Sequence, residues 1–216
     1  MNNPAAATNN TSTVVDPDIR RVLDFWFQPD TRDQPTVDSR MDRWFTADAV
    51  TDALIRTEFG GLVDKASRGQ LDHWAGTPEG RLALIVLLDQ FRRNIHRGTP
   101  KAFSRDPQAL KLCVEGAMKG DYKGLDPFQQ AFYFMPLQHA ESLKIQQRSV
   151  KIYEGMVSGV SATLKETFAT FAQFAELHHD IIESFGRFPH RNRILGRTNT
   201  PEESEYLAAG APAFGQ

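Results

Sequence analysis

A cationic stretch near the end of the chain has the residue types that most clearly suggest chemistry. Residues 185–197 read FGRFPHRNRILGR and contain four arginines, one histidine and one asparagine, with no acidic residue among them. Four large apolar residues are interleaved with the charges, which a stretch that only faced water would not need. Guanidinium groups held in place are a common way to bind phosphate or carboxylate. The stretch therefore predicts a site for a small anionic molecule or an acidic peptide segment.

The polar residues of this stretch can each be given a role in such a site. We predict Arg187, Arg191 and Arg197 as ligands of the anion, and Asn192 as a hydrogen-bonding residue that orients it. His190 is the candidate general acid or base. The alternative is a structural clasp, in which the arginines bind buried acids and helix-end carbonyls. Arginine serves both purposes, so the sequence favours neither.

A second polar cluster follows the most apolar run of the chain. Residues 82–88 read LALIVLL, and Asp89 comes next, three and four residues before Arg92 and Arg93. Because a carboxylate beside an apolar helix is costly unless paired, an ion pair is expected here. Asp89 is then either a catalytic proton acceptor or a partner in a structural ion pair. The structural pair is favoured, since such networks are common without catalysis.

Three more residues, His139, Glu141 and His178, are predicted to line or support the pocket. Glu141 would hold the arginines or accept protons, and the two histidines would form part of the wall. His178 lies on the apolar stripe of its helix, where a core histidine that donates to a backbone carbonyl, to Asp89 or to Glu141 is the favoured interpretation. Residues two apart on a regular helix point about 200° apart, so His139 and Glu141 cannot share a metal without distortion. No metal site is predicted, although the tertiary fold could assemble one from these three residues and His190.

Composition excludes several classes of protein. The chain has 216 residues, 40% of them apolar and 24% charged, and a formal net charge of -2, so neither nucleic acid nor a membrane surface is an expected partner. Cys113 is the sole cysteine and lies between Leu112 and Val114, which predicts a buried thiol and not a nucleophile. No glycine-rich phosphate loop, zinc cluster or serine nucleophile elbow occurs, so no cofactor is predicted. The start of the chain has neither a basic region nor an apolar run, so we predict a cytoplasmic protein. Residues 1–15 are predicted to be a disordered tail before a single domain over 16–216.

Helix signals recur along the chain, and alternating strand patterns are absent. A capping residue stands before proline in five places, namely Asp16-Pro17, Thr77-Pro78, Asp106-Pro107, Asp126-Pro127 and Thr200-Pro201. Helices should end at Gly69, Gly120 and Gly186, and Pro136 should kink or break the helix that contains it. The three tryptophans and Phe168, Phe171 and Phe174 are expected to pack in the core. These patterns predict an all-α fold with helices over 17–28, 38–45, 47–59, 61–68, 78–97, 107–119, 127–154, 163–185, about 190–195, and 201–209.

The same segments resemble a known family. The matching residues are VLDFWF at 22–27, RWF at 43–45, GQLDHW at 69–74, LLDQFRRN at 87–94, MPLQHAE at 135–141, FGRFPHRN at 185–192, LGR at 195–197 and TPEE at 200–203. In these residues the chain resembles the bacterial family known as domain of unknown function 924, over residues 17–207. The resemblance implies a tetratricopeptide-like helical array of antiparallel helices, and it implies no established activity. Two alternatives to anion binding therefore stay open: a tetratricopeptide-like protein-binding module, and a hydrolase or transferase acting on an anionic substrate.

Overall fold

The helices begin and end largely where local chemistry predicts. The computed structural model describes residues 16–28 and 37–215, apart from the side chain of Asp38, so the predicted tail at 1–15 lies outside it. The described residues contain helices and no strand, which confirms the all-α class. The helices are α1 (Pro17–Phe27), α2 (Val37–Phe45), α3 (Ala49–Ser67), α4 (Pro78–Ile85, continued by a π-helical stretch Val86–Phe91 and by Arg92–Ile95), α5 (Asp106–Lys119), α6 (Pro127–Gln138), α7 (Leu143–Gly159), α8 (Lys165–Phe185), α9 (Asn192–Leu195) and α10 (Pro201–Ala208). Short 3-10 turns lie at Asp72–Gly76, Pro100–Ala102, Asp121–Gly124, Ala162–Leu164 and Pro189–Arg191.

Four of the five predicted caps are present, because capping depends only on neighbouring residues. Their side chains accept hydrogen bonds from backbone N–H groups of the first helical turn, at Asp16, Thr77, Asp126 and Thr200. The prediction of a cap at Asp106 was wrong. The helix already begins at this residue, and its carboxylate instead accepts hydrogen bonds from Arg93 and Arg191. The side chain of Asp106, which the local pattern predicts as a cap, forms tertiary ion pairs instead.

Two predicted boundaries differ from the structure. The predicted helices 47–59 and 61–68 form one helix, α3, whose interior tolerates Gly60 and Gly61. The predicted helix 127–154 is divided into α6 and α7, and the division comes two residues after Pro136, which itself stays inside α6. Residues 139–142 therefore leave the helix. His139 and Glu141 are not held about 200° apart on one helical surface, as a regular helix would require.

The middle of α4 contains a feature that the sequence did not predict. Val86–Phe91 is a π-helical stretch whose residues are all buried. Such wide turns are uncommon and are often found at functional sites. This one contains Asp89, so the acid that follows the apolar run lies on a turn with an extra residue, surrounded by the core.

The main hydrophobic core is rich in aromatic residues. Trp26, Trp44 and Trp74 are buried as predicted, and Phe168 and Phe171 are buried with them. Phe174 differs from the prediction, because 41% of its surface is exposed. The most extensive helix–helix contact is between α7 and α8, which are joined by a short connection. The tetratricopeptide-like arrangement of the helices stays a prediction.

A smaller apolar cluster anchors the end of the described chain. It consists of Ile181, Ile182 and Phe188, with Leu177, Phe185, Tyr206 and Phe214 packed against it. The cationic stretch is therefore fixed by its apolar residues, as its composition suggests. Within residues 16–28 and 37–215 we find no helix both long and apolar enough to cross a membrane.

Two glycines provide a matched pair for testing the packing. A Cβ atom at Gly116 would collide with the hydroxyl of Tyr133 and with the side chain of Arg81, which is held by a 2.7 Å ion pair to Asp121. Gly116→Ala should therefore lower the free energy of unfolding by about 1–3 kcal/mol through overpacking. At Gly155 nothing lies within 4 Å of the new Cβ, so Gly155→Ala should raise it by about 0.5–1 kcal/mol through helix propensity. Urea unfolding of both variants measures the difference, and equal effects would contradict the described packing around Gly116.

Candidate functional site

A cavity of about 340 Å³ opens between α2, α4, α6, α8 and the segment 212–215, and we call it the His139 cavity. Its apolar side is formed by Trp44, Phe45, Met135, Phe171, Phe174, Pro212 and Phe214. Its polar lining residues, called its polar side below, are Thr46, Gln90, Arg93, Asn94, Arg97, Gln138, His139 and His178. No acidic side chain is among the described residues that line it. The lining therefore offers both apolar surface and hydrogen-bond donors to a bound molecule.

Asp89 lies behind the polar side of the cavity with no exposed surface. Its Oδ1 atom is 2.7 Å from His139 Nδ1 and 3.2 Å from Arg93 Nη2, and its Oδ2 atom is 2.5 Å from Gln90 Nε2. Arg93 also donates to Asp106 at 2.9 Å. The predicted ion pair of Asp89 with Arg93 is thus present. Arg92, the other predicted candidate, instead donates to Ser67 and Ser104.

The charges of this cluster follow from its contacts. Burial alone would raise the pKa of Asp89, but the interactions with His139 and Arg93 outweigh it and hold that pKa well below its usual range. Burial and the nearby Arg93 charge lower the pKa of His139, although Asp89 partly opposes the shift. At neutral pH the pair is therefore a carboxylate next to an uncharged imidazole. Since a carboxylate can only accept, the proton of the imidazole is on Nδ1.

His178 shares the cavity wall with His139. The two rings are 6.1 Å apart, and His178 Nδ1 lies 2.6 Å from the carbonyl oxygen of Phe174, one turn earlier in α8. Of the partners considered from the sequence, the backbone carbonyl is the one it contacts. Burial, followed by the nearby His139, lowers the pKa of His178 to about 3. The ring is neutral at physiological pH.

His190 lies beside the cavity and does not line it. Its ring packs 5.6 Å from that of Phe188 and 5.2 Å from that of Phe214, measured between centroids. Burial, followed by the charge of Arg191, lowers the pKa of His190 to about 3. The structure pairs Asp89 with His139 and not with His190. A catalytic role for His190 stays a prediction.

Two arginines of the cationic stretch are held by carboxylates. Arg187 donates to both oxygens of Glu203, at 2.6 and 2.8 Å, and to the carbonyl of Thr198. Arg197 donates to both oxygens of Glu141, at 2.8 and 3.0 Å, and to the carbonyl of Phe188. These contacts are those of the structural clasp. The role of Arg187 and Arg197 as anion ligands stays a prediction.

Arg191 has a different environment. Its guanidinium lies between the rings of Phe103 and Phe188, at 4.6 and 4.4 Å from their centroids, and 3.3 Å from Asp106. Burial, followed by the charge of Arg93, lowers its pKa to about 10. Arg191 lines a second cavity, of about 580 Å³, which His139 also lines. His139 therefore forms part of the wall of both cavities.

Asn192 is fully buried and belongs to the clasp. Its Nδ2 donates to Asn199 at 2.8 Å and to Glu203 at 3.1 Å. Glu203 also closes the capping box of α10, so one carboxylate joins α10 to the cationic stretch. A ligand-orienting role for Asn192 stays a prediction.

Sequence reasoning missed part of the cavity. Arg97 donates through Nε and Nη2 to Asp52, at 2.7 and 2.9 Å, and its Nη1 contacts the carbonyl of Gly215. Asn94 donates to the same Asp52 at 2.8 Å. Asn94 falls inside the segment LLDQFRRN that carries the family resemblance, which was the available signal. Nothing in the sequence marked residues 212–215.

The remaining candidate chemistry is outside the cavity. Among the described residues, a group with metal-ligand spacing occurs at His179, Asp180 and Glu183 on α8, where the two acids are exposed. That group does not include His139, Glu141, His178 or His190. Cys113 is buried as predicted, and its burial raises the pKa of the thiol.

Comparison with known proteins gives one family and one related structure. A family model described as "Bacterial protein of unknown function (DUF924)" matches residues 22–211. The chain is also similar to the solved structure of ATU0120 from Agrobacterium tumefaciens, which is described as a protein of unknown function. The two are 34% identical with a TM-score of 0.76, and the match covers 90% of this chain and 98% of that one. No curated protein matches the chain.

Proposed function

The chain belongs to the bacterial family of unknown function DUF924, and we propose that this protein binds a small carboxylate with an apolar body in the His139 cavity. One observation carries the proposal: the described lining combines two arginines, two histidines and three amide side chains with an aromatic wall, and it contains no acidic side chain. A volume of about 340 Å³ is within the range of small-molecule sites.

Charge balance favours a carboxylate over a phosphate. Arg93 and Arg97 of the lining, together with Arg191, contact Asp52, Asp89 and Asp106, so three positive charges meet three negative ones. A network that is balanced in this way offers donors to a monoanion but little surplus charge to a dianion. The predicted class of small anionic ligands is thereby narrowed to monoanions.

The aromatic wall suggests the rest of the ligand. Phe45 and Phe174 are stacked at 6.4 Å, and each keeps about two fifths of its surface exposed, at 43% and 41%. Large aromatic side chains that stay exposed at a cavity bind apolar surface when a ligand enters. An aryl or alkyl chain of a few carbons would cover them.

Calorimetry with a simple aromatic acid tests the proposal. We expect 3-phenylpropionate to bind and to raise the melting temperature, and to bind at least tenfold more tightly than 3-phenylpropionamide or phenyl phosphate. Arg97→Gln should weaken binding at least tenfold, because it removes a donor at the polar side. Arg68→Gln, on an exposed residue that does not line the cavity, is the matched control. Equal affinity for acid and amide, or tighter binding of the phosphate, would contradict the proposal.

Fewer observations support the other functional alternatives. A protein-binding module on a concave helical face stays a prediction, as does a cytoplasmic location. Transfer or hydrolysis on an anionic substrate also stays a prediction, as do the catalytic roles of His190 and Asp89.

A further inference from the structure

We propose that Asp89 and His139 form a proton-transfer dyad that makes the His139 cavity a hydrolytic site for esters of apolar carboxylic acids. This inference rests on the proposed function, because the carboxylate that the cavity binds would be the product of the reaction. His139 would be the catalytic base, and Asp89 would be a positioning residue that acts through it.

The geometry of the dyad leaves one nitrogen available. Asp89 accepts the Nδ1 proton of His139 at 2.7 Å, so the lone pair of the neutral ring is on Nε2. Among the described residues, Nε2 has no hydrogen-bond partner. The ring is 14% exposed and borders both cavities. A general base needs this combination of an oriented ring, a free lone pair and access to the ligand.

The surroundings hold the carboxylate in one orientation. Arg93 donates to the oxygen that binds His139, and Gln90 donates to the other oxygen. If either oxygen moved away, a buried donor would lose its hydrogen bond, so the carboxylate of Asp89 cannot rotate freely. The π-helical stretch that contains Asp89 and Gln90 places both side chains in this cluster.

The nucleophile would be water. Among the described residues that line the His139 cavity there is no serine and no cysteine, and the one hydroxyl side chain, that of Thr46, forms no hydrogen bond with His139. His139 Nε2 takes a proton from water as the water oxygen bonds to the acyl carbon of the ester. The ester C–O bond then breaks, and the imidazolium gives its proton to the leaving oxygen. One water is consumed, and one carboxylic acid and one alcohol or phenol are released.

Hydrolysis of p-nitrophenyl 3-phenylpropionate provides the assay. We expect the purified protein to release p-nitrophenol, and His139→Asn to lower kcat/KM at least a hundredfold. His73→Asn, at an exposed histidine away from the cavity, should leave kcat/KM unchanged. No hydrolysis by the unaltered protein, or equal hydrolysis by the His139 variant, would overturn the dyad.

The pH profile separates positioning from a merely structural role. Hydrolysis should rise with pH as His139 loses its proton, and the rise should lie below pH 6.5 because burial and Arg93 lower the pKa of His139. Asp89→Asn should lower kcat/KM at least tenfold and move the rise to lower pH, since Asp89 stabilises the protonated ring. A lower rate with an unmoved profile would mean that Asp89 is only structural. The charged and titratable groups around His139 that set this profile are Asp89, Arg93, Asp106, His178 and His190, with Glu141 and Arg191 in the wall of the second cavity.

Two further measurements keep the outcomes distinct. Nitrogen-15 spectra of the unaltered protein should show His139 protonated on Nδ1, and protonation on Nε2 would overturn the dyad even if the Asp89 variant failed to fold. Calorimetry with 3-phenylpropionate on His139→Asn tests binding alone. If His139→Asn binds 3-phenylpropionate normally and still hydrolyses the ester at the unaltered rate, the proposed dyad is refuted and the proposed carboxylate binding is not. Absent binding in the unaltered protein removes the proposed function.

Discussion

Replacement of Arg93 by methionine is expected to lower the free energy of unfolding by about 3–5 kcal/mol. The guanidinium of Arg93 is 12% exposed and joins the carboxylates of Asp89 and Asp106, at 3.2 and 2.9 Å. Methionine keeps an unbranched apolar side chain at this position but leaves two acids without that cation, one of them fully buried. Breaking a buried pair by removing one partner is costly because the remaining charge keeps its desolvation penalty. Urea unfolding at neutral pH measures the loss.

A surface pair in the same protein gives the control. Lys111 and Glu115 are 3.7 Å apart on α5, and their side chains are 73% and 50% exposed. Lys111→Met should therefore change the free energy of unfolding by no more than about 0.5 kcal/mol. Adding Asp89→Asn to Arg93→Met should recover part of the loss, because it removes one of the unpaired charges. Similar effects of Arg93→Met and Lys111→Met would mean that the buried network contributes nothing specific.

Acidification should destabilise the protein well before the ordinary carboxylates titrate. The pKa values of His178 and His190 are about 3 in the folded protein, against about 6.5 in an unfolded chain. Between these values the unfolded state binds protons that the folded state does not, so stability falls as pH falls. Each histidine contributes a slope of up to about 1.4 kcal/mol per pH unit, and the two together up to about 3 kcal/mol per unit between about pH 6 and 4.5.

Single replacements identify the groups responsible. His178→Phe keeps an aromatic ring beside Phe188 and Phe214, and it should lower the slope by the share of one histidine, up to about 1.4 kcal/mol per pH unit. His73→Asn, at an exposed position, is the comparison variant. Chemical denaturation at several pH values gives the slopes directly. An unaltered slope in His178→Phe would show that this ring takes up protons in the folded protein.

The parts of the fold that the sequence predicted are those that depend on near neighbours. Caps at Asp16, Thr77, Asp126 and Thr200 use atoms two or three residues away, so the local pattern was sufficient. The cap prediction at Asp106 failed because the side chain has distant partners, Arg93 and Arg191, which are 13 and 85 residues away. A distant cation changed the role of a side chain that its neighbours alone would have made a cap.

The candidate site shows the same division between local and distant information. Sequence reasoning selected both His139 and Asp89 and gave candidate catalytic roles to His190 and Asp89, but it could not pair Asp89 with His139, since 50 residues separate them. Glu141 was predicted to hold the arginines, but a local pattern could not show that its partner is Arg197, which is 56 residues away. The end of α6 after Gln138 also mattered, because it released His139 from the helix.

The wide turn in α4 has a consequence for how this helix can change. Each residue of a regular helix advances by about 100°, so one extra residue sets everything after Phe91 out of phase with everything before it. The first half of α4 and the arginines that follow Phe91 thus face different neighbours, although they belong to one continuous helix. Deletion of one residue in this stretch would make the backbone hydrogen bonds regular, but it would also rotate Asp89 or Arg93 away from its ion-pair partner. Insertions and deletions in this region are therefore constrained by geometry, whichever side chains are kept.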